Sequence, residues 1–416
     1  MSPKTPTTAR TEETKPALVP KLRFPEFRGT GEWLLTALDS VCEILNSRRR
    51  PITGNERTPG PYPYYGASGI VDKVGDFIFA ERLLLVGEDG AKWGAFEKTA
   101  FIADGKYWVN NHAHVLKPIA AKDTFLENYL TMLDLSPFVT GAAPPKLTLG
   151  KLKGIHIPLP PKPTEQQKIA DCLGSLDELI AAQARKVDVL KTHKKGLMQQ
   201  LFPREDETQP RLRFPDFHGT QGWQKRKVSS LLARSVSPVS VESEQIYREI
   251  GIRSHGKGIF HKEPLLGKTL GDKKVFHVEA SAFVLNIVFA WEQAVAVTSE
   301  AEAGMIASHR FPMYKPNERE ADVDFIKYFF LTNKGKELLG IASPGGAGRN
   351  KTLGQKEFEK LEFLCPRKVE EQTAIALCLS SADALITAAT QELETLKTHK
   401  KGLMQQLFPS AEAVEA

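Results

Sequence analysis

The stretch Lys191–Pro203 reads Lys-Thr-His-Lys-Lys-Gly-Leu-Met-Gln-Gln-Leu-Phe-Pro, and it returns residue for residue at Lys397–Pro409. Thirteen identical residues in a chain of 416 mark an internal duplication, and a repeat on this scale dictates the architecture before any local propensity is consulted. A second pair frames the other side of each half. Pro20–Phe27 followed by Trp33 comes back, with conservative changes, as Pro210–Phe217 followed by Trp223. The offset is 190 for this pair and 206 for the first, so the text between the frames is 16 residues longer in the second half. The framed inserts share little identity. Such a pattern suits a module whose contents are selected to vary, and simple drift would also produce it.

Each thirteen-residue copy closes a long helical pattern. From Ile169 the steps alternate by four and three through Leu173, Leu176, Ile180, Gln183, Val187, Leu190, Lys194, Leu197 and Leu201. The second copy runs Ile375, Leu379, Ala382, Ile386, Ala389, Leu393, Leu396, Lys400, Leu403 and Leu407. Eight of the first ten and nine of the second ten are apolar, and a 3.5-residue period held this long predicts a coiled-coil seam. A helix over Thr164–Leu201 would be about 57 Å long. Thr164 and Gln167 have the spacing of a capping box, which the second copy lacks. Antiparallel pairing of the two helices lets two homologous halves relate by a two-fold axis. The polar seam residues Gln183, Lys194 and Lys400 either fix the register or extend their polar ends to solvent.

The inserts, about 44–145 and 234–350, mix short apolar runs with glycine-rich turns. Phe77–Ala80, Leu83–Val86 and Ser281–Ala290 read as strand material, and short helices are expected near Thr124–Leu135 and Asp324–Gly340. The expected fold is α+β: two mixed α/β domains separated by two long helices that form an antiparallel coiled coil, with an internal pseudo-two-fold repeat. The boundaries that follow are a disordered tail at 1–17, a first domain at 18–150, a first helix region at 151–209, a second domain at 210–355 and a second helix region at 356–416.

Few functions are left open by the chemistry present. No unbroken apolar run approaches the length of about 18 residues that a membrane span needs, and no hydrophobic signal core opens the chain, so a cytoplasmic protein without a membrane partner is expected. The four cysteines, Cys42, Cys172, Cys365 and Cys378, lack metal-ligand spacing and suit packing in a reduced compartment. His112 and His114 alternate in a strand-like run, on one face if that run is a strand, but no third metal ligand accompanies them. Phosphate-loop, dinucleotide-binding, zinc-protease and serine-hydrolase motifs are all missing, and Ser343–Arg349 is glycine-rich without the lysine a phosphate loop requires. A non-enzyme without a cofactor of its own is expected.

Net charge is +6, which permits a nucleic-acid partner without demanding one. Residues 44–145 carry eleven Lys/Arg against eleven Asp/Glu, and residues 234–350 carry fifteen against fourteen. A DNA-binding face would therefore have to come from arrangement. The candidates are Arg48, Arg49 and Arg50, a basic run that either contacts phosphate or is a solvated loop. Tyr64, Tyr65 and Ser68 lie among glycines, where aromatics either let a backbone approach DNA or cover a core edge. Arg253, Ser254, His255 and Lys257 combine hydrogen-bond donors with two glycines, and such donors reach base edges or phosphates. Lys146 in the first half matches Arg349 and Lys351 in the second.

Taken together, these motifs resemble the specificity subunit of type I restriction–modification systems over essentially the whole chain. The resemblance is carried by Leu22-Arg23-Phe24-Pro25 and its repeat at 212–215, by Tyr65-Gly66-Ala67-Ser68-Gly69-Ile70, and by Glu165-Gln166-Gln167-Lys168-Ile169-Ala170. Its other carriers are Glu371-Gln372-Thr373-Ala374-Ile375-Ala376 and the duplicated Gly-Leu-Met-Gln-Gln-Leu-Phe. It implies that each insert is a target recognition domain for half of a bipartite, asymmetric site in double-stranded DNA, with the helices setting the gap. It further implies docking of two methyltransferase subunits, which use S-adenosylmethionine, and of restriction/translocase subunits that use ATP. The substitution of Gln372-Thr373 for Gln166-Gln167 implies unequal docking surfaces. A coiled-coil protein–protein adaptor with two divergent heads is the alternative.

Overall fold

The computed structural model describes residues 18–345 and 351–409, so the tail at 1–17 and the candidate Arg349 lie outside the described residues. The chain forms two compact units. Unit 1 takes residues 1–185 and 391–416, and unit 2 takes the continuous segment 186–390. Both boundaries fall midway along the long helices, which run over Pro163–Leu201 and Val369–Leu407.

Unit 1 is built on a four-stranded antiparallel sheet in the order Cys42–Ile44, Ala113–Pro118, Leu83–Gly87, Ala100–Ala103. The central run Leu83–Val86 is fully buried, which is why it reads as continuous hydrophobic text rather than as alternation. Phe77–Ala80 is no strand; only Phe79 bridges to Tyr107, and the rest of that run crosses as loop. A smaller sheet joins Gly69–Val74 to Pro59–Gly66 and then to Trp108–Val109. The framing strand Leu34–Ala37 pairs antiparallel with His156–Leu159. The expected helix is present at Asp123–Met132.

Unit 2 repeats the main sheet in the same order: Leu232–Ser235, Met313–Pro316, Phe283–Leu285, Val295–Val297. Its framing strands Gln224–Lys227 and Glu362–Cys365 pair as their counterparts do. Beyond this shared part the units differ. Unit 2 has three two-stranded ladders, including the hairpin Ile250–Ile252 with Ile259–His261. Its expected single helix is split into Val323–Phe330 and Asn333–Ile341. Thr332 caps the second piece by accepting a hydrogen bond from Gly335 N, a local alternative that ends the first piece.

The repeated text does the same work in each unit. Leu22 N donates to Gln406 O at 2.9 Å in unit 1, and Leu212 N donates to Gln200 O at 2.9 Å in unit 2. Phe408 meets Trp33 edge-on at 6.4 Å, and Phe202 meets Trp223 edge-on at 6.2 Å. Phe125 and Phe325 complete the two aromatic clusters.

All twenty seam positions are buried or half-buried. In unit 1, Lys400 Nζ binds both Asp177 carboxylate oxygens at 2.7 Å, and Gln183 Nε2 donates to Glu392 Oε2 at 2.8 Å. Partner numbers fall on one helix as they rise on the other, so segments 163–185 and 391–407 run antiparallel. In unit 2, Lys194 Nζ donates to Asp383 Oδ1 at 2.5 Å, the same pair in the duplicated frame. The polar seam residues therefore pick out specific partners rather than merely reaching solvent.

Three sequence expectations are corrected. The capping box does not form, because the first helix starts one residue earlier at Pro163 and the Gln167 amide turns outward to Asp171 Oδ1 at 2.7 Å. His112 and His114 do not share a face. The strand begins at Ala113, so His112 stays in the preceding turn with its side chain 49% exposed, whereas His114 is fully buried. The third concerns apolar length. Among the described residues, Val369–Leu407 is one helix long and apolar enough to cross a membrane, with mean hydropathy 1.5 in its most apolar window. No unbroken run announces it because Ser, Thr and Asp383 interrupt the apolar residues. Ile375, Ala376 and Leu379 of this helix pack into the core of unit 2.

A buried ion pair ties each frame to its helix start. Arg23 Nε and Nη2 donate to Glu165 Oε1 and Oε2 at 2.7 and 2.8 Å, and Arg213 repeats both bonds to Glu371 at 2.7 and 2.8 Å. Gln166 accepts from Lys122 N, and Gln372 accepts from Asp322 N, each at 3.0 Å. Gln372 is thus the working equivalent of Gln166, and the two helix starts differ at the next two positions, Gln167-Lys168 against Thr373-Ala374. The two units also differ at one indole. Trp223 Nε1 donates to Glu371 at 3.0 Å, whereas buried Trp33 Nε1 has no hydrogen-bond partner among the described residues. Trp223→Phe is therefore expected to cost about 1.5–3 kcal/mol, the range for a hydrogen bond to a charged group, beyond the cost of Trp33→Phe. Urea unfolding of the two variants checks this; equal losses would contradict it.

Candidate nucleic-acid interface

In unit 1 two of the candidates, Arg49 and Lys146, are held where Leu83–Gly87 ends and Ala113–Pro118 begins. Glu88 and Asp89 follow the first strand there and attract the local cations. Arg49 Nη1 pairs with Glu88 Oε2 at 2.6 Å and donates to Ala113 O at 2.8 Å. Lys146 Nζ pairs with Asp89 Oδ2 at 2.9 Å, and His112 Nδ1 bonds the other oxygen of the same carboxylate. Burial pushes the Asp89 carboxyl up, but its bonds to Lys146 and His112 outweigh this and hold it below the usual range. His114 sits beneath, with Nε2 donating to Leu147 O at 2.7 Å and Nδ1 accepting from Asn46 at 2.8 Å. Burial keeps its pKa below the ordinary value, so the ring is neutral.

Arg48 pairs with Glu81 Oε1 at 2.8 Å and lies 4.5 Å over the Phe79 ring. Arg50 is exposed, and its carbonyl accepts from Trp108 Nε1 at 2.5 Å. The tyrosines take the core-edge role. Tyr64 is 1% exposed, its hydroxyl accepts from Ile52 N at 3.0 Å, and Arg57 covers its ring. Tyr65 is half-buried against Phe101 and Tyr107; burial first, then the charge of Asp104, pushes its phenol above the usual value. Ser68 stays exposed at the turn between Pro59–Gly66 and Gly69–Val74, next to exposed Ile70 and Val71.

In unit 2 the candidates converge on one short turn, Ala290–Glu292. His255 N donates to Glu292 O at 2.7 Å, and Ser254 Oγ donates to Glu292 Oε2 at 2.9 Å. Lys351 Nζ stands 5.6 Å over the Trp291 ring. Arg253 and Lys257 are exposed in the hairpin loop that this turn supports. Sequence reasoning picked Arg253 and Lys351 on separate grounds; their shared support at 290–292 has no sequence signal. The internal ties Arg23–Glu165 and Arg213–Glu371 were also missed. Their one available signal was that Arg and Glu recur unchanged at these positions in both copies.

Residues 31–192 match the family model described as the type I restriction modification DNA specificity domain. Residues 31–192 therefore carry a domain of this specificity family. A Haemophilus influenzae protein described as a type I restriction enzyme specificity subunit is 39% identical over 149 residues, which are 35% of this chain and 38% of that one. The MjaX counterpart from Methanocaldococcus jannaschii is 25% identical over 275 residues, 62% of this chain and 59% of that one. The chain thus spans less than two thirds of the length of these curated relatives. Among solved structures, the type I restriction–modification system S subunit of M. genitalium superposes with TM-score 0.64 at 13% identity, covering 94% of this chain and 100% of that one. At that identity the likeness is one of fold.

Proposed function

We propose that this chain is the non-catalytic specificity subunit of a type I restriction–modification complex and acts in the cytoplasm. Each unit carries one target recognition domain and reads one half of a bipartite, asymmetric site in double-stranded DNA. The two long helices act as an antiparallel coiled-coil spacer that sets the gap between the half-sites. The frames and helices dock two methyltransferase subunits, and restriction/translocase subunits join that core. S-adenosylmethionine and ATP belong to those partners.

The observation that carries this reading is the specificity-domain match at 31–192, together with the recurrence of the same four-strand order in unit 2. The specificity-domain match favours this reading over the coiled-coil adaptor alternative. Arg50, Ser68, Arg253, His255, Lys257 and Lys351 remain the better placed DNA contacts. Tyr64 is buried, and Arg48, Arg49 and Lys146 are engaged by carboxylates.

The test maps methylated adenines in DNA exposed to the chain assembled with its methyltransferase subunits. A bipartite motif is expected. Exchanging residues 234–350 for the corresponding insert of another family member should change one half-site and preserve the other. A change in both halves, or the absence of a bipartite motif, would defeat the reading.

A further inference from the structure

The loop between Ile250–Ile252 and Ile259–His261 is held unusually firmly for an exposed turn. His255 and Gln293 face each other, and both have φ 60°, a left-handed conformation that residues other than glycine seldom adopt. Such backbone persists only where its surroundings enforce it, and it concentrates at functional sites. The enforcement is visible. Gly256 N donates to Gln293 O at 3.0 Å, Arg253 N donates to Gly258 O at 3.0 Å, and the Gln293 amide is fixed by Phe330 O and Thr332 O at 2.9 and 3.1 Å. Gly256 itself has φ +64°, and a Cβ there would come within 2.6 Å of the Leu331 side chain.

On this base Arg253 stands exposed, its guanidinium 4.7 Å over the Phe260 ring and without a carboxylate partner among the described residues. Gly251 leaves the space that ring needs, since a Cβ there would approach the Phe260 Cζ to 2.3 Å. Lys257 is exposed on the same loop and likewise has no carboxylate partner among the described residues. Unit 1 makes the opposite arrangement, with Arg48, Arg49 and Lys146 each paired to a carboxylate at 2.8, 2.6 and 2.9 Å.

We propose that the loop 253–258 is the base-reading element of unit 2, in which Arg253 donates two hydrogen bonds to the major-groove edge of a guanine and Lys257 neutralises an adjacent phosphate. The proposal rests on the reading of the chain as a DNA-specificity subunit. A planar guanidinium fork matches the O6 and N7 acceptors of guanine, and stacking on Phe260 holds the fork before DNA arrives. A loop already fixed in one conformation loses little freedom on binding. Lys257, a point charge on a flexible stem, suits a phosphate rather than a base edge.

The experiment uses the full chain assembled with its methyltransferase subunits and a duplex library varied at every target position, at several salt concentrations. Arg253→Lys should relax the preference at one guanine of one half-site by about 10- to 100-fold and leave the other half-site alone. Lys257→Ala should weaken all sequences alike and reduce the salt slope by about one. Arg253→Gln, neutral and shorter, guards against a failure to fold in the first variant. An unchanged profile for the Arg253 variants, or a uniform loss across all sequences, would overturn the assignment. A wild-type complex without sequence preference would instead overturn the specificity-subunit reading, so the two failures are distinguishable.

Discussion

Glu165→Ala is expected to destabilise unit 1 by about 3–5 kcal/mol, the cost of leaving a buried charge without its partner. Arg23 is 8% exposed and Glu165 fully buried, so neither can turn to water when the other is removed. The guanidinium would keep its bonds to Gly31 O at 2.6 Å and Thr30 Oγ1 at 2.5 Å but lose both charge-assisted bonds. Replacing both members with apolar residues, as Arg23→Met with Glu165→Leu, should cost far less, because desolvation of the pair offsets most of its Coulomb attraction. Glu371→Ala should behave alike in unit 2 and also orphan the Trp223 indole. There the two bonds to Glu371 hold the Arg213 pKa above its usual value. Hydrogen exchange at increasing denaturant reads each unit separately. A Glu165→Ala chain within about 1 kcal/mol of wild type would show that the pair contributes little, as exposed pairs do.

The repeat made the frames and helices legible, because period and duplication are properties of the text itself. All seam positions selected by the 3.5-residue step are withdrawn from solvent. Even the polar ones were placed correctly, although their partners Asp177, Asp383 and Glu392 could not be named without the register. Strand order was not legible. The two main sheets share one order while their sequences share little, since a buried strand such as Leu83–Gly87 or Phe283–Leu285 asks only for apolar residues of suitable volume.

The candidate site was legible as residue types and illegible as availability. Arg49 and Arg253 look alike in sequence. One is consumed by Glu88, 39 residues later, and the other is propped on Phe260 with its donors exposed. Tyr64 and Ser68 sit four positions apart in one hairpin, and only register places the tyrosine in the core and the serine at the turn. Long-range pairing of this kind decides which cations can meet a phosphate. Near-neutral inserts can therefore differ in binding character at the same bulk charge.

Phe408→Ala should loosen unit 1 while leaving unit 2 intact. The side chain is 1% exposed and touches Trp33, Phe125 and Tyr129 with ring centroids 6.4, 5.1 and 5.5 Å away. Truncating a buried phenylalanine costs about 3–5 kcal/mol. Phe202→Ala should carry a similar cost in unit 2, but the two differ in what holds the segment afterwards. Phe202 and Trp223 belong to one continuous stretch, so a short connection keeps them near each other. Leu22 and Gln406, which share the equivalent backbone bond in unit 1, are separated by almost the whole chain. Closing so long a loop carries a larger entropic cost, which the packing of Met404, Leu407 and Phe408 must offset. Removal of residues 391–416 should accordingly abolish hydrogen-exchange protection across the unit 1 aromatic cluster while strands 283–285 and 295–297 of unit 2 stay protected. Protection lost equally in both units, or retained in unit 1, would show that the C-terminal helix segment is not what completes that core.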